Sequence, residues 1–260
     1  MRRIIIIRLM RILTDKYLEI YQKNLLDFAE DIEKFRLSSK TLDFSYMTES
    51  SSIFSANIEG NSLDLNSFHN LQGLHSKPKE REEIEHLIEA YHYAQENPLD
   101  EKRLLHTHAL ASRTLLIPSF QGTYRNDRVG VFWKRWLVYL AIEAEHVQEK
   151  MNELFTDIGE LLERNLSPES VFYYASLIHL AFVHVHPFAD GNGRSARLLE
   201  KWFLTTKLGK EFWKISSEQY YKEQRSAYYQ NINLGVNYYE LDYDRCLPFL
   251  LMLPGSMRDS

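Results

Sequence analysis

The chain has one cysteine, Cys246, so it cannot close an internal disulfide or build a cysteine-based zinc site, which fits a reducing, cytoplasmic setting. Turn-formers are scarce. Ten glycines and seven prolines stand where average usage would give roughly 18 and 13, which argues for helices over a strand-and-turn architecture. No block of like charge occurs, and 31 Lys and Arg against 36 Asp and Glu leave a net charge of −5, which disfavours a sequence-independent grip on nucleic-acid phosphates. Long apolar runs are missing too. The arginines before Ile4–Ile7 suggest a secretory signal, but Arg8 and Arg11 interrupt the run below the roughly 7–15 residues such a signal needs. Nothing elsewhere approaches the roughly 18–20 apolar residues of a membrane span, so a soluble, cytoplasmic protein is expected. What remains is 260 residues, 44% of them apolar, enough for one large domain or a domain with an extension.

Helical periodicity runs through most of the chain, with no internal repeat. Leu18, Tyr21, Leu25, Phe28, Ile32 and Phe35 predict one helix over 14–37. A polar, serine-rich passage follows from Ser38, and Gly60 with Asn61 suits the left-handed stop of a short helix. Further helices are expected near 64–73, over 80–95 with Pro98 closing the segment, and over 104–116. Val129 to Phe132 is the one β-like stretch. Residues 143–163 form another helix, and Ser167, Pro168 and Glu169 announce the next, running to about His184. A helix from Asn192 to Lys207 stops at Gly209, and a tyrosine-rich end carries helices near 217–235 and 240–252.

Between two of these helices lies the segment from His184 to Arg197. Gly191 and Gly193 permit unusual backbone conformations where free N–H groups meet the positive end of a helix dipole, which makes an anion cradle. Arg194 and Arg197, spaced i,i+3, can reach one anion from the same helix face, and an oligophosphate suits them. Asp190 can hold a hard cation such as Mg²⁺ among water and phosphate oxygens, and His186 can take a proton from an attacking hydroxyl. Alone, the glycines read as a turn, the histidine as structural, and His184, His186 and Asp190 as a transition-metal set.

The segment resembles the signature of the Fic proteins, His-Pro-Phe-x-Asp/Glu-Gly-Asn-Gly-Arg-x-x-Arg, and residues 186–197 match it at every fixed position. The resemblance spans roughly residues 50–232. It implies transfer of AMP from ATP to a hydroxyl of a target protein, with His186 as base and Asp190 as ligand of Mg²⁺ or Mn²⁺. Gly191, Asn192 and Gly193 would form the anion hole, and Arg194 and Arg197 would be phosphate contacts. The related Doc kinases carry lysine at the second glycine, so Gly193 favours nucleotidyl transfer over phosphorylation. Gly122 to Arg125 followed by Val129, Gly130 and Val131 resembles the family's flap, a short hairpin that docks an extended target segment. Lys222 to Tyr229 resembles its adenine-pocket segment, in which Tyr229 lines the base, while Tyr228 reads equally as core packing. The asparagine often found seven residues beyond that tyrosine is displaced, with Val236 there and Asn237 next.

Ser55 to Gly60 resembles the family's inhibitory motif, Ser/Thr-x-x-x-Glu-Gly/Asn, which implies that Glu59 pairs with Arg197 where the ATP γ-phosphate would lie. His106 and His108, at i,i+2, point to different sides of a helix and do not chelate one metal. His69, His75, His86, His92, His146 and His179 receive no role, and Cys246 reads as an inert buried thiol. The expectation is an all-α Fic-type domain with a short β-hairpin flap. It comprises an N-terminal helical extension over 1–100 with the inhibitory helix near 50–60, a core over 101–210 and a C-terminal helical part over 211–260. Its partners would be ATP and a protein with a Ser, Thr or Tyr hydroxyl, with a homo-oligomer compatible and neither membrane nor nucleic acid expected. Removal of AMP, transfer of UMP or phosphocholine by the same residues, and a nucleotide-sensing module held off by Glu59 are the alternatives.

Overall fold

The computed structural model describes residues 11–70, 77–133 and 135–258; the arginine-flanked isoleucines and the end of the helix expected to reach 73 lie outside these. The observed architecture is helical with one small hairpin. Its centre is α8 (Pro168–Val185), buried on every side from Ser170 to Val185, as its nearly unbroken apolar sequence requires. Ser167 caps it, its hydroxyl accepting from the Ser170 N–H, and Pro168 occupies the first helical position.

Around α8 the chain lays α1 (Leu18–Asn24), α2 (Phe28–Ser38), α3 (Phe44–Ile58), α4 (Leu65–His69), α5 (Pro78–Glu96), α6 (Glu101–Ala111) and α7 (Ala144–Glu163). After α8 come α9 (Asn192–Leu208), α10 (Ser217–Glu223), α11 (Arg225–Ile232), α12 (Leu247–Leu250) and α13 (Met252–Gly255). The most extensive packing is α8 against α9, followed by α5 against α6 and α3 against α10 and α5. Side chains fasten the outer pieces. Asp157, wholly buried on α7, accepts the N–H groups of Arg11, Ile12 and Leu13, and Lys207 of α9 donates to the carbonyls of Leu161, Leu162 and Arg164 at the end of α7.

Several expected boundaries moved. The helix over 14–37 is two helices, broken at Leu25–Asp27, where Asp27 adopts φ 55°. Tyr21, Phe28, Ile32 and Phe35 are all buried, because hydrophobic spacing reports the face that packs and not whether the backbone is continuous. The serine-rich passage includes the 15-residue helix α3, whose Ser50, Ser51, Ser52 and Ser55 pack inward. Ser52 and Thr48 return their hydroxyls to the carbonyls four residues back, which lets small polar residues stand on a buried helix face. Gly60 ends the segment at φ 111°, as expected. The helix beginning at Glu101 ends at Ala111, short of 116, and the C-terminal helices are shorter and more divided than the sequence suggests.

The hairpin pairs β1 (Gly130–Trp133) with β2 (Trp136–Leu140), antiparallel, with Gly130 opposite Leu140, Val131 opposite Tyr139 and an irregularity after Val131. The expected short hairpin is present, with its second strand at 136–140, beyond the residues 122–131 that the sequence assigned to it. Its base is tied down by Tyr139, whose hydroxyl donates to the His184 carbonyl at the end of α8 (2.6 Å). No helix among the described residues is long and apolar enough to cross a membrane.

Candidate functional site

The loop between α8 and α9 carries residues 186–191, and its shape follows from three side chains that turn inward. His186 terminates α8 in the left-handed region, φ 52° and ψ 59°, while its N–H still reaches the Phe182 carbonyl. Phe188 is fully buried; its ring stacks on His108 with centroids 3.6 Å apart and planes 5° from parallel. Asn192 closes the loop on itself, accepting from the Phe188 N–H at 2.8 Å and donating to the Phe188 carbonyl at 2.9 Å. That side chain is therefore fixed against the loop by both its oxygen and its nitrogen.

Two further residues hold the loop from outside. His108 accepts from the Gly122 N–H on Nδ1 and donates from Nε2 to the Asp190 carbonyl (3.0 Å), and burial pulls its pKa down to about 4, so one neutral tautomer is fixed. Arg125 is almost fully buried and pairs with no carboxylate among the described residues. Its guanidinium donates to the carbonyls of His186, Asp127, Ile142 and Val185, and its own N–H to Pro187. The sequence gives His108 no role beyond excluding a metal shared with His106, and it groups Arg125 with the flap; the hairpin instead begins at Gly130, and Arg125 grips the loop. Replacing Arg125 by alanine should leave several buried carbonyls without donors. At about 1–3 kcal/mol for an unsatisfied buried group, a stability loss on the order of 3 kcal/mol is expected in urea unfolding. A loss below about 0.5 kcal/mol, the range of ordinary surface changes, would mean that the clamp is dispensable.

The two glycines act differently. Gly191 sits at φ 79°, a conformation that favours glycine. Gly193 is helical, and its requirement is space: a Cβ there would stand 2.3 Å from Glu59 Oε1. The first turn of α9 leaves its N–H groups without intrahelical acceptors, so they point toward any anion at this end.

Arg194 and Arg197 are both buried, and each already meets a carboxylate. Arg194 Nη2 pairs with Glu83 of α5, and Nη1 lies 3.9 Å from Asp190. Glu83 is in turn held by the Asn61 amide at 3.0 Å. Glu83 and Asn61 were not singled out from the sequence, where an acidic residue among many on α5 carries no distinguishing mark. Arg197 donates from Nε to Ser55 Oγ (2.9 Å), from Nη2 to the Ser55 carbonyl (2.9 Å) and to Glu59 Oε1 (2.8 Å), and from Nη1 to the Tyr228 hydroxyl (3.1 Å). The structure thus brings Ser55, Glu59 and Arg197 together. Burial alone would push the Glu59 carboxyl up, but Arg197, Arg194 and the hydrogen bond outweigh it and hold it below the usual carboxylate range. It stands ionised at the N-terminus of α9.

His186 directs Nδ1 at the Val183 carbonyl (3.2 Å), which leaves Nε2 with its lone pair, and burial lowers its pKa. Asp190 is exposed; one oxygen accepts the Gly191 N–H and the other is free. The transition-metal alternative finds no support, because His184 is engaged by Tyr243 and the Ile232 carbonyl, and among the described residues no group of three or more His, Cys, Asp or Glu could hold a metal. Tyr229 is partly exposed beside the site, its hydroxyl on the Ile58 carbonyl (3.2 Å) and the Arg225 guanidinium over its ring. Asn237 instead caps a 3-10 turn, accepting from Tyr239 and Glu240. Cys246 is fully buried, its thiol pushed up to about 12.

Residues 98–204 match the Fic/DOC family. The chain carries a Fic domain. That domain opens just before α6, contains the hairpin and the whole 186–191 loop, and ends within α9, whereas Glu59 lies before it and Tyr228 after it. Curated relatives include the protein adenylyltransferases Fic of Drosophila virilis and Drosophila melanogaster, each 44% identical over 62 residues, or 24% of this chain. The matched stretch spans only 12% and 11% of those relatives. Solved Fic structures share the fold over nearly the whole chain. A Fic family protein from Desulfovibrio desulfuricans G20 superposes with a TM-score of 0.74 at 24% identity, over 97% of this chain and 74% of that one. For Fic-1 of C. elegans the TM-score is 0.62 at 18% identity, over 93% and 71%.

Proposed function

We propose that this Fic protein transfers AMP from ATP to a Ser, Thr or Tyr hydroxyl of a target protein and that Glu59 restrains it. The observation that carries this reading is the ionised Glu59 carboxylate bonded to Arg197 against Gly193, since the carboxylate stands where a phosphate would meet the same donors. In the proposed reaction the target hydroxyl oxygen bonds to the ATP α-phosphorus, the bond from that phosphorus to the bridging oxygen breaks, and pyrophosphate leaves. The hydroxyl proton passes to His186 Nε2, which is free because Nδ1 is turned to Val183. The N–H groups opening α9, with Arg194 and Arg197, receive the phosphates, so most of the catalysis is positioning and charge stabilisation.

The free oxygen of Asp190 fits one hard divalent cation whose other ligands are water and phosphate, and bound Mg²⁺ or Mn²⁺ would supply charge neutralisation along the polyphosphate. Val129, Gly130 and Val131 open the hairpin that would hold the target as an added strand. Asp190→Ala and excess chelator should each reduce transfer of labelled AMP to background. Full transfer in chelator would remove the cation from the scheme. The whole reading is tested by incubating wild-type and Glu59→Gly protein with ATP labelled on the α- or the γ-phosphate. Label on protein from the α-position alone supports AMP transfer, and label from the γ-position would make the protein a kinase instead.

A further inference from the structure

Behind Arg197 lies a chain of buried polar groups that core packing does not explain. The Tyr228 hydroxyl, on α11, accepts from Arg197 Nη1 and lies 3.0 Å from His179 Nε2 on α8. His179 Nδ1 lies 2.9 Å from Glu200 Oε2 on α9, and the other Glu200 oxygen accepts from the Tyr221 hydroxyl of α10 at 2.9 Å. His179, Glu200 and Tyr221 have no exposed surface, and Tyr228 has almost none. Phenylalanine at 228 and aliphatic residues at 179 and 200 would fill the same volume without the desolvation cost of four polar groups, so the polar choice asks for a function.

The donor arithmetic shows what the chain does. With Arg197 donating to it, the Tyr228 oxygen has its own proton left for His179 Nε2, and His179 then carries its proton on Nδ1, directed at Glu200. Every group in the series has one consistent partner. The ring cannot swing away, being packed against Tyr221, with centroids 5.0 Å apart, and against His179 and Phe249. Nη1 is also the guanidinium atom nearest a Cβ built at Gly193 in the first turn of α9, 3.1 Å away. The other anchors of Arg197 all come from the inhibitory segment, Ser55 and Glu59.

We propose that Tyr228, backed by His179 and Glu200, is a positioning residue that holds Arg197 aimed at the α9 N-terminus when Glu59 is displaced, and so sets the preference for a nucleoside triphosphate over a diphosphate. This rests on the nucleotide-binding reading above. Tyr228 touches no phosphate itself and acts through Arg197.

The test uses the full chain with Glu59→Gly, in which the inhibitory carboxylate is absent, and measures MgATP and MgADP binding by calorimetry. Adding Tyr228→Phe should weaken ATP about tenfold, the loss of one hydrogen bond to a charged group, and leave ADP within about twofold. In an Arg197→Ala background the same substitution should change neither nucleotide. Should Tyr228→Phe fold poorly, His179→Leu removes the acceptor behind the tyrosine, and the ATP-to-ADP ratio should fall in the same direction by about threefold. An unchanged ratio, or equal weakening of both nucleotides, would reduce Tyr228 to core packing and overturn the proposal. Failure of the Glu59→Gly protein to bind either nucleotide would overturn the nucleotide-binding reading itself, and the proposal with it.

Discussion

Glu59→Gly should raise AMP transfer, to the protein itself or to a target in lysate, by roughly ten- to a hundredfold. The estimate follows from the contact it removes: a charge-assisted hydrogen bond contributes about 1.5–3 kcal/mol, and each 1.4 kcal/mol is about a factor of ten. Two effects have the same sign. Arg197 Nη2 is freed for a phosphate oxygen, and a carboxylate held below its usual pKa no longer faces the polyphosphate. Arg197 stays posed after the change, because its bonds to Ser55 and Tyr228 are untouched. Autoradiography with α-labelled ATP reads the result. No gain in the single variant would show that the Glu59 contact is not a brake. Loss of AMP removal from a modified target in the same variant would favour the de-modifying reaction, with Glu59 ordering the attacking water.

His186→Ala should lower transfer by about 10²–10⁴-fold, the usual contribution of a positioned general base, with ATP affinity nearly unchanged. The separation follows from the geometry, since the cradle is built from the first turn of α9, Arg194 and Arg197, while the imidazole stands at the opposite end of the loop. The loop itself should survive. Phe188 on His108, Asn192 on the Phe188 backbone and the Arg125 clamp do not involve the His186 ring. The pH profile supplies a second reading. Burial lowers the His186 pKa from its ordinary value of 6.5, so the proton-accepting form predominates at neutral pH. In the Glu59→Gly protein, kcat/KM should rise with pH along an acid limb lying below pH 6.5 and then level off. A limb above pH 6.5, or undiminished transfer by the alanine variant, would remove His186 as the base. Glu59→Gly combined with His186→Ala should return to background, which separates release of the brake from loosening of the fold.

The reading of the loop came from the sequence alone. Residues 186–197 are contiguous, and contiguity is what a sequence displays: the turn at Gly191, the helix opening at Asn192 and the arginines at i,i+3 follow from local geometry. The pairing of Ser55 and Glu59 with Arg197, 142 and 138 residues away, was legible only through resemblance to a known motif. The helices from Ala144 to Leu208 were also readable, because their apolar faces are wide and the start of the middle one carries the capping Ser167 before Pro168. The serine-rich α3 was legible only as a short helix ending at Gly60, not from its start at Phe44. Its hydroxyls bury by bonding to its own carbonyls and to Arg197 and Lys201, and no hydropathy pattern records a bond to a distant cation. Only the tertiary structure decided the supports: His108 between Gly122 and Asp190, Arg125 over four carbonyls, Glu83 on Arg194, and the series from Tyr228 to Glu200 behind Arg197. Each joins groups from separate parts of the chain through a few polar contacts, and such contacts leave no periodicity or spacing in the sequence. They exist because burial strips those groups of water and obliges them to find one another.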